Sequence, residues 1–429
     1  MALRGSPTVR TVGSLLTRHL ATKAGSGRNL KQWCKSPAST MQLLQELKLA
    51  KRADLMYQLL EALGEEGRIQ LSPAHITVGI TTCSAAGDWV GALALFASMP
   101  KHGISPDTIS YGAALSSCEK GSQWQVAIEL FAEMHQQGIS PNVISYSSAI
   151  SACEKGMQWP LALHLFQSMP KAHVDANVIS YSATMSSCEK GAQWQLAVHL
   201  LHSMPRGRVR PTVVSYSAAI SSCEKGGQWQ TAMQLFYTML DSHIYPDVIA
   251  CSAVISACEK DGQWQQAVKL LTTMPALKIE PNIVSYSLTI SSCGKGAQWQ
   301  LAVHLLGSMA KSGIGAHIIS HNAAISACDK DGCWQLALAL FREIPKLHLL
   351  PNVFSYAAAI HACSASGQWQ EALQLFADMQ QMQVIPNQRS YNSTLSACEM
   401  GAQWQQAVHL LHMLPLAALM PLRRSRVEG

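Results

Sequence analysis

The sequence predicts an all-α fold, a solenoid of stacked helix–turn–helix repeats. A tryptophan recurs every 35 residues without an insertion, at Trp89, Trp124, Trp159, Trp194, Trp229, Trp264, Trp299, Trp334, Trp369 and Trp404. A cysteine keeps the same interval, at Cys83, Cys118, Cys153, Cys188, Cys223, Cys258, Cys293, Cys328, Cys363 and Cys398. Each interval also contains two stretches with apolar residues three or four apart, the spacing of one helical face. Repeats of this length stack because none can bury its apolar face alone.

The repeat 143–177 shows how each element is predicted. Its first half predicts a helix whose apolar face consists of Tyr146, Ala149, Ile150 and Cys153. Gly156 predicts the end of that helix, at the position after its C-cap. The second half predicts another helix, with an apolar face of Trp159, Ala162, Leu163, Phe166 and Met169. Pro160 suits the first turn, where a missing N–H costs little, and Pro170 begins the loop that ends the repeat.

Composition predicts a folded body without a membrane partner. The chain has 429 residues, 48% of them hydrophobic and 14% charged, which excludes a disordered polyelectrolyte. No apolar run reaches the roughly 18 residues that cross a bilayer. Beyond residue 52, 22 Lys and Arg face 25 Asp and Glu. An anion-binding surface must therefore be local and cannot come from the charge of the whole chain.

The N-terminal segment differs from the rest in composition. Residues 1–35 are basic and rich in Ser, Thr and Leu, and they contain no acidic residue. This composition is typical of an organelle transit peptide, with the mitochondrion favoured over the chloroplast, and a disordered basic tail is the alternative. No secretory signal precedes the thirteen cysteines, so a reduced compartment is expected.

The remaining chain divides into three predicted parts. Residues 36–72 predict an N-terminal helical cap for the first repeat. Residues 73–415 form an array of about ten repeats, which begin at 73, 108, 143, 178, 213, 248, 283, 318, 353 and 388. Residues 416–429 form a short basic tail with no room for a catalytic domain. The sequence has no phosphate-binding loop and no dinucleotide fingerprint, so neither an enzyme nor a cofactor is expected.

The cysteines and tryptophans predict a core, with no metal site. Neighbouring first helices lie roughly 10 Å apart, whereas a disulfide needs Cα atoms closer than about 7 Å. One cysteine per repeat can therefore neither pair along the stack nor converge on a metal ion. We expect each tryptophan to pack against the turn that precedes it, with base stacking as the alternative. One periodic position is predicted to be solvated, because His alternates there with Glu and Lys: His164, His199, His304, His409, Glu129 and Lys269.

The apolar pattern and the loops together resemble the pentatricopeptide repeat family. The run from Ala162 to Met169, preceded by Pro141 and Asn142, carries the resemblance, as does the ending Met134, Gly138, Ile139, Pro141 and Asn142 of the repeat 108–142. Tetratricopeptide repeats usually have 34 residues. The resemblance to a P-type-like array covers 73–415 and implies a right-handed superhelical solenoid. The chain departs from the family in its Trp, in Ser at the fifth position and in its near-identical repeats.

Four positions of each repeat form one stripe on the first helix, because they are three or four residues apart. Position 2 is apolar and predicted to hold unstacked bases: Ile109, Ile144, Ile179, Val214, Ile249, Val284, Ile319 and Phe354. Position 9 is usually Ser or Thr. Position 13 is predicted to bind phosphate: Lys120, Lys155, Lys190, Lys225, Lys260, Lys295 and Lys330. Acidic residues at position 12 offset these lysines in part, so a solvated face is the alternative.

In that family, the fifth and last residues of a repeat together select one base. The resemblance implies guanine for Thr77 with Asp107 and Ser217 with Asp247, adenine for Ser147 with Asn177 and Ser252 with Asn282, and a pyrimidine for Asn322 with Asn352. Four pairs depart from the pattern: Gly112 with Asn142, Ser182 with Thr212, Ser287 with His317 and Ala357 with Asn387. With RNA running 5′ to 3′ along the chain, the expected target is G-x-A-x-G-A-x-Y-x.

These observations predict a sequence-selective protein that binds single-stranded RNA. Such a protein would act on an organellar transcript in its processing, stability or translation, reading one base per repeat. It would act by occupancy or by recruiting a protein partner. The alternative is a helical-repeat scaffold that binds peptides in the same groove.

Overall fold

The computed structural model describes residues 37–50, 56, 59–60 and 72–413, except 316 and 331. Every regular element in these ranges is a helix. The predicted transit peptide and the predicted basic tail lie outside the described residues, as does much of the predicted cap.

In the described ranges, twenty α-helices form ten pairs, one pair for each predicted repeat. The first helices are α2 (Pro73–Ala86), α4 (Thr108–Lys120), α6 (Val143–Lys155), α8 (Val178–Lys190), α10 (Val213–Lys225), α12 (Val248–Lys260), α14 (Ile283–Lys295), α16 (Ile318–Lys330), α18 (Val353–Ala365) and α20 (Gln388–Met400). The second helices are α3 (Trp89–Ser98), α5 (Trp124–Gln136), α7 (Trp159–Ser168), α9 (Trp194–Ser203), α11 (Trp229–Asp241), α13 (Trp264–Thr273), α15 (Trp299–Lys311), α17 (Trp334–Lys346), α19 (Trp369–Gln381) and α21 (Trp404–Met413). Every first helix begins at the predicted start of its repeat, and every second helix begins at the tryptophan.

Contacts divide the chain into two units, residues 1–222 and 223–429. Within each unit, the first helix of one repeat packs against the first helix of the next. The second helix packs against its own first helix and against the first helix of the following repeat. The predicted all-α stack of helix–turn–helix repeats is therefore confirmed.

The predicted apolar face of the first helix is buried. Tyr146, Ala149, Ile150 and Cys153 are all at most 1% exposed. Tyr146 meets Phe131 of the preceding repeat edge to face, with ring centroids 4.8 Å apart, and four other repeat junctions have the same contact. Such pairs add about 1 kcal/mol beyond the area they bury. Aromatic contacts between repeats therefore help to fix the stacking.

The turn between the two helices corrects two predictions. Gly156 follows helix α6 with a φ of −80°, and the left-handed residue is Met157, with a φ of 56°. A Cβ on Gly156 would instead collide with Trp124 of the preceding repeat. The tryptophan therefore packs against the turn of the following repeat, whereas the sequence predicts packing against the turn that precedes it. Glycine lets the indole lie this close to the backbone at Gly156, whereas Asp261 and Ser366 occupy the same position in other repeats.

The N-terminal helix α1 (Pro37–Leu49) packs against α2, the first helix of the array. Its Leu44 and Leu47 are fully buried. Met56 and Leu60 lie over Gly79 of α2. These apolar contacts cover the side of α2 that no preceding repeat covers.

Candidate nucleic-acid interface

Position 2 of each repeat presents an apolar side chain to solvent. The eight residues predicted to hold bases are between 53% and 66% exposed. They sit in the first turn of the first helices, so the same surface point recurs along each unit. A regular row of exposed apolar side chains is typical of a binding surface, because a ligand that covers apolar surface removes it from water, which is favourable.

The last residue of each repeat caps the first helix of the next one. The side chain of Asn177, for example, accepts a hydrogen bond from the Ser180 N–H at 2.9 Å. The side chains of Asp107, Asn142, Asp247, Asn282, Asn352 and Asn387 do the same for their helices. The cap holds this side chain in one orientation beside position 2, and an Asn keeps its NH₂ group for a further partner.

Sequence reasoning assigned this position to base selection and missed the capping role. The signal was present, because Asn or Asp followed three residues later by Ser is a capping pattern. In several repeats the Ser hydroxyl returns the bond, as Ser180 Oγ does to Asn177 O at 2.9 Å. The base-selecting role itself stays a prediction.

Position 5 occurs in two hydrogen-bonding states. The hydroxyls of Thr77, Ser217 and Ser287 donate to the backbone carbonyl four residues earlier, at 2.7 to 2.8 Å. The hydroxyls of Ser147 and Ser252 are buried and have no hydrogen-bond partner within the described ranges. A buried hydroxyl without a partner is costly, so these two positions suit a ligand that accepts a hydrogen bond.

The fifth and last residues of one repeat meet directly in the unit 223–429. Asn322 Nδ2 donates to Asn352 Oδ1 at 3.2 Å, and Asn322 Oδ1 is left buried without a partner in the described part of the chain. In the unit 1–222, Ser182 Oγ lies 3.5 Å from Ser215 Oγ, three residues after Thr212. Gly112 and Ala357 bring no polar side-chain atom to their sites.

A pocket of about 310 Å³ lies between the first helices α2 and α4. Its lining includes Thr77, Ile109, Gly112, Lys120, Asn142 and Ile144. These residues come from three consecutive repeats and represent all three predicted roles. The structure thus brings predicted base-selecting, base-stacking and phosphate-binding side chains together in one groove.

Most described position-13 lysines pair with the preceding repeat. Lys190 Nζ lies 3.1 Å from Glu154 Oε1 and also donates to the Glu154 backbone carbonyl. The same arrangement joins Lys155 to Glu119, at 3.9 Å, and Lys260 to Glu224, at 2.7 Å, and Lys295 Nζ lies 2.9 Å from Glu259 Oε1. Sequence reasoning placed each acid beside a lysine of its own repeat. It missed these inter-repeat ion pairs, which join residues 36 positions apart.

Position 9 contributes to the same junctions. Ser256 Oγ donates to Glu224 Oε1 at 3.0 Å, and Ser291 Oγ donates to Glu259 Oε1 at 2.9 Å. His361 takes the place of Ser and lies 2.7 Å from Asp329. The predicted hydroxyl row is therefore engaged in part between repeats.

Burial raises the pKa of the Glu119 carboxyl above its ordinary value. The charges of Lys155 and Lys120 oppose this rise, and the Glu154 carboxylate adds to it. The Glu119 carboxylate is thus partly desolvated, and the ammonium groups of Lys155 and Lys120 offset the cost of its burial.

The cysteines are buried thiols, as predicted. The cysteines at the periodic position are at most 1% exposed. Burial raises the pKa of the Cys153 thiol to about 11, which keeps it protonated at neutral pH. No cluster of His, Cys, Asp and Glu in the described ranges could hold a metal ion.

The predicted solvated histidines that can be assessed, His164, His199 and His304, are exposed on the second helices. His409 has no described side chain. Among the described helices, none has the length and apolar character needed to cross a membrane.

Three family profiles match the sequence. The profile described as "Pentatricopeptide repeat domain" matches residues 94–156, 129–191 and 164–226. The "PPR repeat family" profile matches 246–295 and 351–399, and the "PPR repeat" profile matches 214–244 and 284–314. Together the matches span more than half of the chain. A comparison with curated proteins gives no match.

Solved structures match the same fold. The pentatricopeptide repeat protein PPR10 from maize aligns with 95% of this chain and 68% of its own, with 19% identity and a TM-score of 0.52. PPR10 in complex with an 18-nucleotide psaJ RNA element covers 96% of this chain and 64% of its own, with 20% identity and a TM-score of 0.44. The PPR domain of Arabidopsis thaliana protein-only RNase P 1, in complex with tRNA, covers 44% and 95%, with 13% identity and a TM-score of 0.37.

Proposed function

The chain belongs to the pentatricopeptide repeat family, and we propose that it binds single-stranded RNA sequence-selectively, with one base at each repeat. One observation carries the proposal. At successive repeats, an exposed apolar side chain at position 2 lies beside the polar side chain at position 35 of the preceding repeat, which caps the same helix. The residue at position 5 is usually small. That combination offers an unstacked base both an apolar contact and a polar edge.

The groove between α2 and α4 shows how a base would fit. Ile109 and Ile144 line the same pocket, so a planar base between them would cover apolar surface that water now covers. Gly112 and Asn142, the fifth and last residues of the repeat 108–142, line this pocket too, and the Asn142 side chain would reach the edge of the base. Apolar contacts accept any base, so selection falls to the residues at positions 5 and 35.

Hydrogen-bonding states at position 5 support the proposed base preferences. The Ser147 hydroxyl has no partner, so it can donate to a ring nitrogen of adenine while Asn177 completes the recognition. Thr77 already donates its proton to Pro73 O, which leaves its oxygen as an acceptor. Together with the Asp107 carboxylate, that oxygen suits guanine, which presents N–H donors on its pairing edge. Each good pair of this kind contributes about 1–3 kcal/mol of discrimination.

A random-pool RNA selection on the full chain tests the proposal. The expected result is enrichment of G-x-A-x-G-A-x-Y-x, and a flat pool with weak binding would favour the peptide-binding scaffold. The matched variant is Ser147→Asn, which gives the third repeat the Asn–Asn pair that Asn322 and Asn352 form. We expect the third nucleotide alone to change from A to a pyrimidine. A change at other positions, or none, contradicts the assignment of this pair.

The apolar contact is tested at Ile179, which is 62% exposed. Changing Ile179→Ser should weaken RNA binding about fivefold, since roughly 1 kcal/mol of apolar contact is lost. The free energy of unfolding should stay the same, because the side chain is already in water. The control is Val90→Ser, at a 58% exposed residue on the second helix α3, away from the interface. Equal losses for both variants would refute the role of position 2.

For the cellular role, we propose that the chain occupies an organellar transcript and so alters its processing, stability or translation, alone or with a recruited protein. Support comes from the basic, acid-free composition of residues 1–35. A reporter fused to these residues should enter isolated mitochondria, and a version with its Arg and Lys residues changed to Gln should not. Import into chloroplasts alone would shift the proposed organelle, and import into neither would refute it.

A further inference from the structure

The position-13 lysines are not equivalent, because their surroundings in the preceding repeat differ. Lys155 and Lys190 each face a glutamate there, Glu119 and Glu154. The residue at the corresponding place for Lys120 is Ser84. Lys120 is exposed, and Glu119, its neighbour in sequence, forms its ion pair with Lys155 of the next repeat.

The pocket beside Lys120 is rich in hydroxyls and poor in charge. Besides Lys120, its polar lining includes Thr77, Thr81, Ser84, Thr108 and Ser116. No carboxylate is among the residues that line it, and Lys120 supplies its one charged side chain. Thr77, Thr81 and Thr108 already donate their hydroxyl protons to backbone carbonyls. The Lys120 ammonium group is therefore the charged donor that a phosphate oxygen would meet in this pocket.

We propose that Lys120 is the principal phosphate-binding residue of the unit 1–222, and that Glu119 and Glu154 restrict phosphate binding at Lys155 and Lys190. This inference rests on the proposed RNA-binding function. The position-12 carboxylates would then set the affinity for RNA, because they form ion pairs with the lysine ammonium groups of the next repeat.

The physical reason is the charge that a phosphate meets at each junction. At Lys190, the ammonium group is 3.1 Å from a carboxylate, so the pair is close to neutral and an approaching phosphate is repelled by the acid. Because that ammonium charge is already compensated, it neutralises the phosphate only weakly and displaces few of the cations condensed on the RNA. At Lys120, no acid lines the pocket, and a phosphate there exchanges one condensed cation for the lysine, which steepens the salt dependence by roughly 0.7 per contact on a single strand.

The chain itself supplies the design for a reciprocal variant. In the unit 223–429, Glu224 accepts a hydrogen bond from Ser256 at position 9 and pairs with Lys260 at position 13 of the next repeat. Ser84, Ser116 and Lys120 occupy the three corresponding positions at the first junction. The substitution Ser84→Glu should therefore install at Lys120 the ion pair that other repeats already have.

The experiment measures binding of the full chain to the fluorescein-labelled RNA 5′-GUAUGAUCU-3′ by anisotropy, over a series of salt concentrations. Lys120→Gln should weaken binding about tenfold and reduce the salt slope by roughly 0.7. Lys190→Gln, the matched control, should change affinity less than about twofold with the same slope. Glu154→Gln frees Lys190 and should tighten binding about threefold with a steeper slope. Ser84→Glu should reproduce the effect of Lys120→Gln, and Lys120→Arg should retain binding.

Equal losses for Lys120→Gln and Lys190→Gln, or an unchanged affinity for Ser84→Glu, would overturn the inference while RNA binding itself stands. Failure of the unsubstituted chain to bind this RNA or a selected pool would instead refute the proposed function. Thermal unfolding of each variant separates loss of the site from loss of the fold. A Glu154→Gln variant that melts early yet binds more tightly would still support the inference, because affinity and stability then move in opposite directions.

Discussion

At the scale of single residues, the near-identical repeats allow different side chains at the same position to be compared within one protein. Position 10 is alanine in some repeats, such as Ala152 and Ala257, and serine in others. Ser187 and Ser292 have buried hydroxyls with no partner in the described part of the chain. Ser117, at the same position, donates to the Ala113 carbonyl at 3.0 Å. This position therefore accepts alanine. Where it is serine, only some of the hydroxyls form a hydrogen bond that offsets the cost of their burial.

We predict that Ser187→Ala stabilises the protein by about 1 kcal/mol, because it removes a desolvated hydroxyl that forms no hydrogen bond. Ser292→Ala should do the same in the other unit. The control is Ser117→Ala, which removes a hydrogen-bonded hydroxyl and should be neutral or destabilising. Urea unfolding of the three variants measures the difference, and an equal effect at all three positions would contradict this account.

The paired states of position 5 belong to the same scale. A hydroxyl that donates to its own helix, as in Thr77, and one that does not, as in Ser147, differ in where the side chain places the hydroxyl oxygen. Sequence alone distinguishes Thr from Ser there, but Ser217 and Ser147 have the same side chain and opposite states. The partner of a hydroxyl depends on local backbone and rotamer geometry, so it could not be read from residue type.

At the scale of elements, several described junctions between repeats bring an indole into close contact with a backbone. Gly121, Gly156, Gly191, Gly296 and Gly401 all lie against the tryptophan of the preceding repeat, and a Cβ at any of them would collide with the ring. Trp404 of the last described helix is 70% exposed, with no described repeat after it to supply such a turn. The glycine and tryptophan therefore act as a pair across the junction.

We predict that Gly156→Ala destabilises the protein by about 2 kcal/mol, because the added methyl group displaces Trp124 from its packed position. The control is Gly307→Ala in helix α15, where nothing lies within 4 Å of the added atom. Alanine is the better helix former, so this control should be stabilising by about 1 kcal/mol or less. Thermal unfolding followed by circular dichroism compares the two. A stabilising Gly156→Ala would refute the proposed close packing.

At the scale of the whole molecule, the buried cysteines couple stability to alkaline pH. Burial raises the pKa of thiols such as Cys118, Cys153, Cys188 and Cys223 from an ordinary 9.0 to about 11. Between these two values the unfolded chain loses thiol protons that the folded chain keeps. The unfolded state then binds fewer protons, so the free energy of unfolding falls as pH rises through this range.

We predict that the thiol contribution to the free energy of unfolding is complete below pH 9. It should fall progressively from about pH 9 to about pH 11 and change no further above that. A Cys153→Ala, Cys188→Ala double variant should release two fewer protons on unfolding in this window. Urea unfolding under reducing conditions at several pH values measures the change in slope. An identical pH dependence for the double variant and the unsubstituted chain would show that the thiols are not responsible.

The sequence by itself determined the all-α class, the number and register of the repeats, the burial of the cysteines and the exposure of position 2. These features follow from periodicity within one helix, which depends on neighbours three or four residues away. Only the tertiary structure decided that Trp124 contacts Gly156, that Lys190 pairs with Glu154 and that no carboxylate in the described part of the chain lines the pocket beside Lys120. These contacts join successive repeats, and near-identical repeats leave the choice of neighbour open until the helices are stacked.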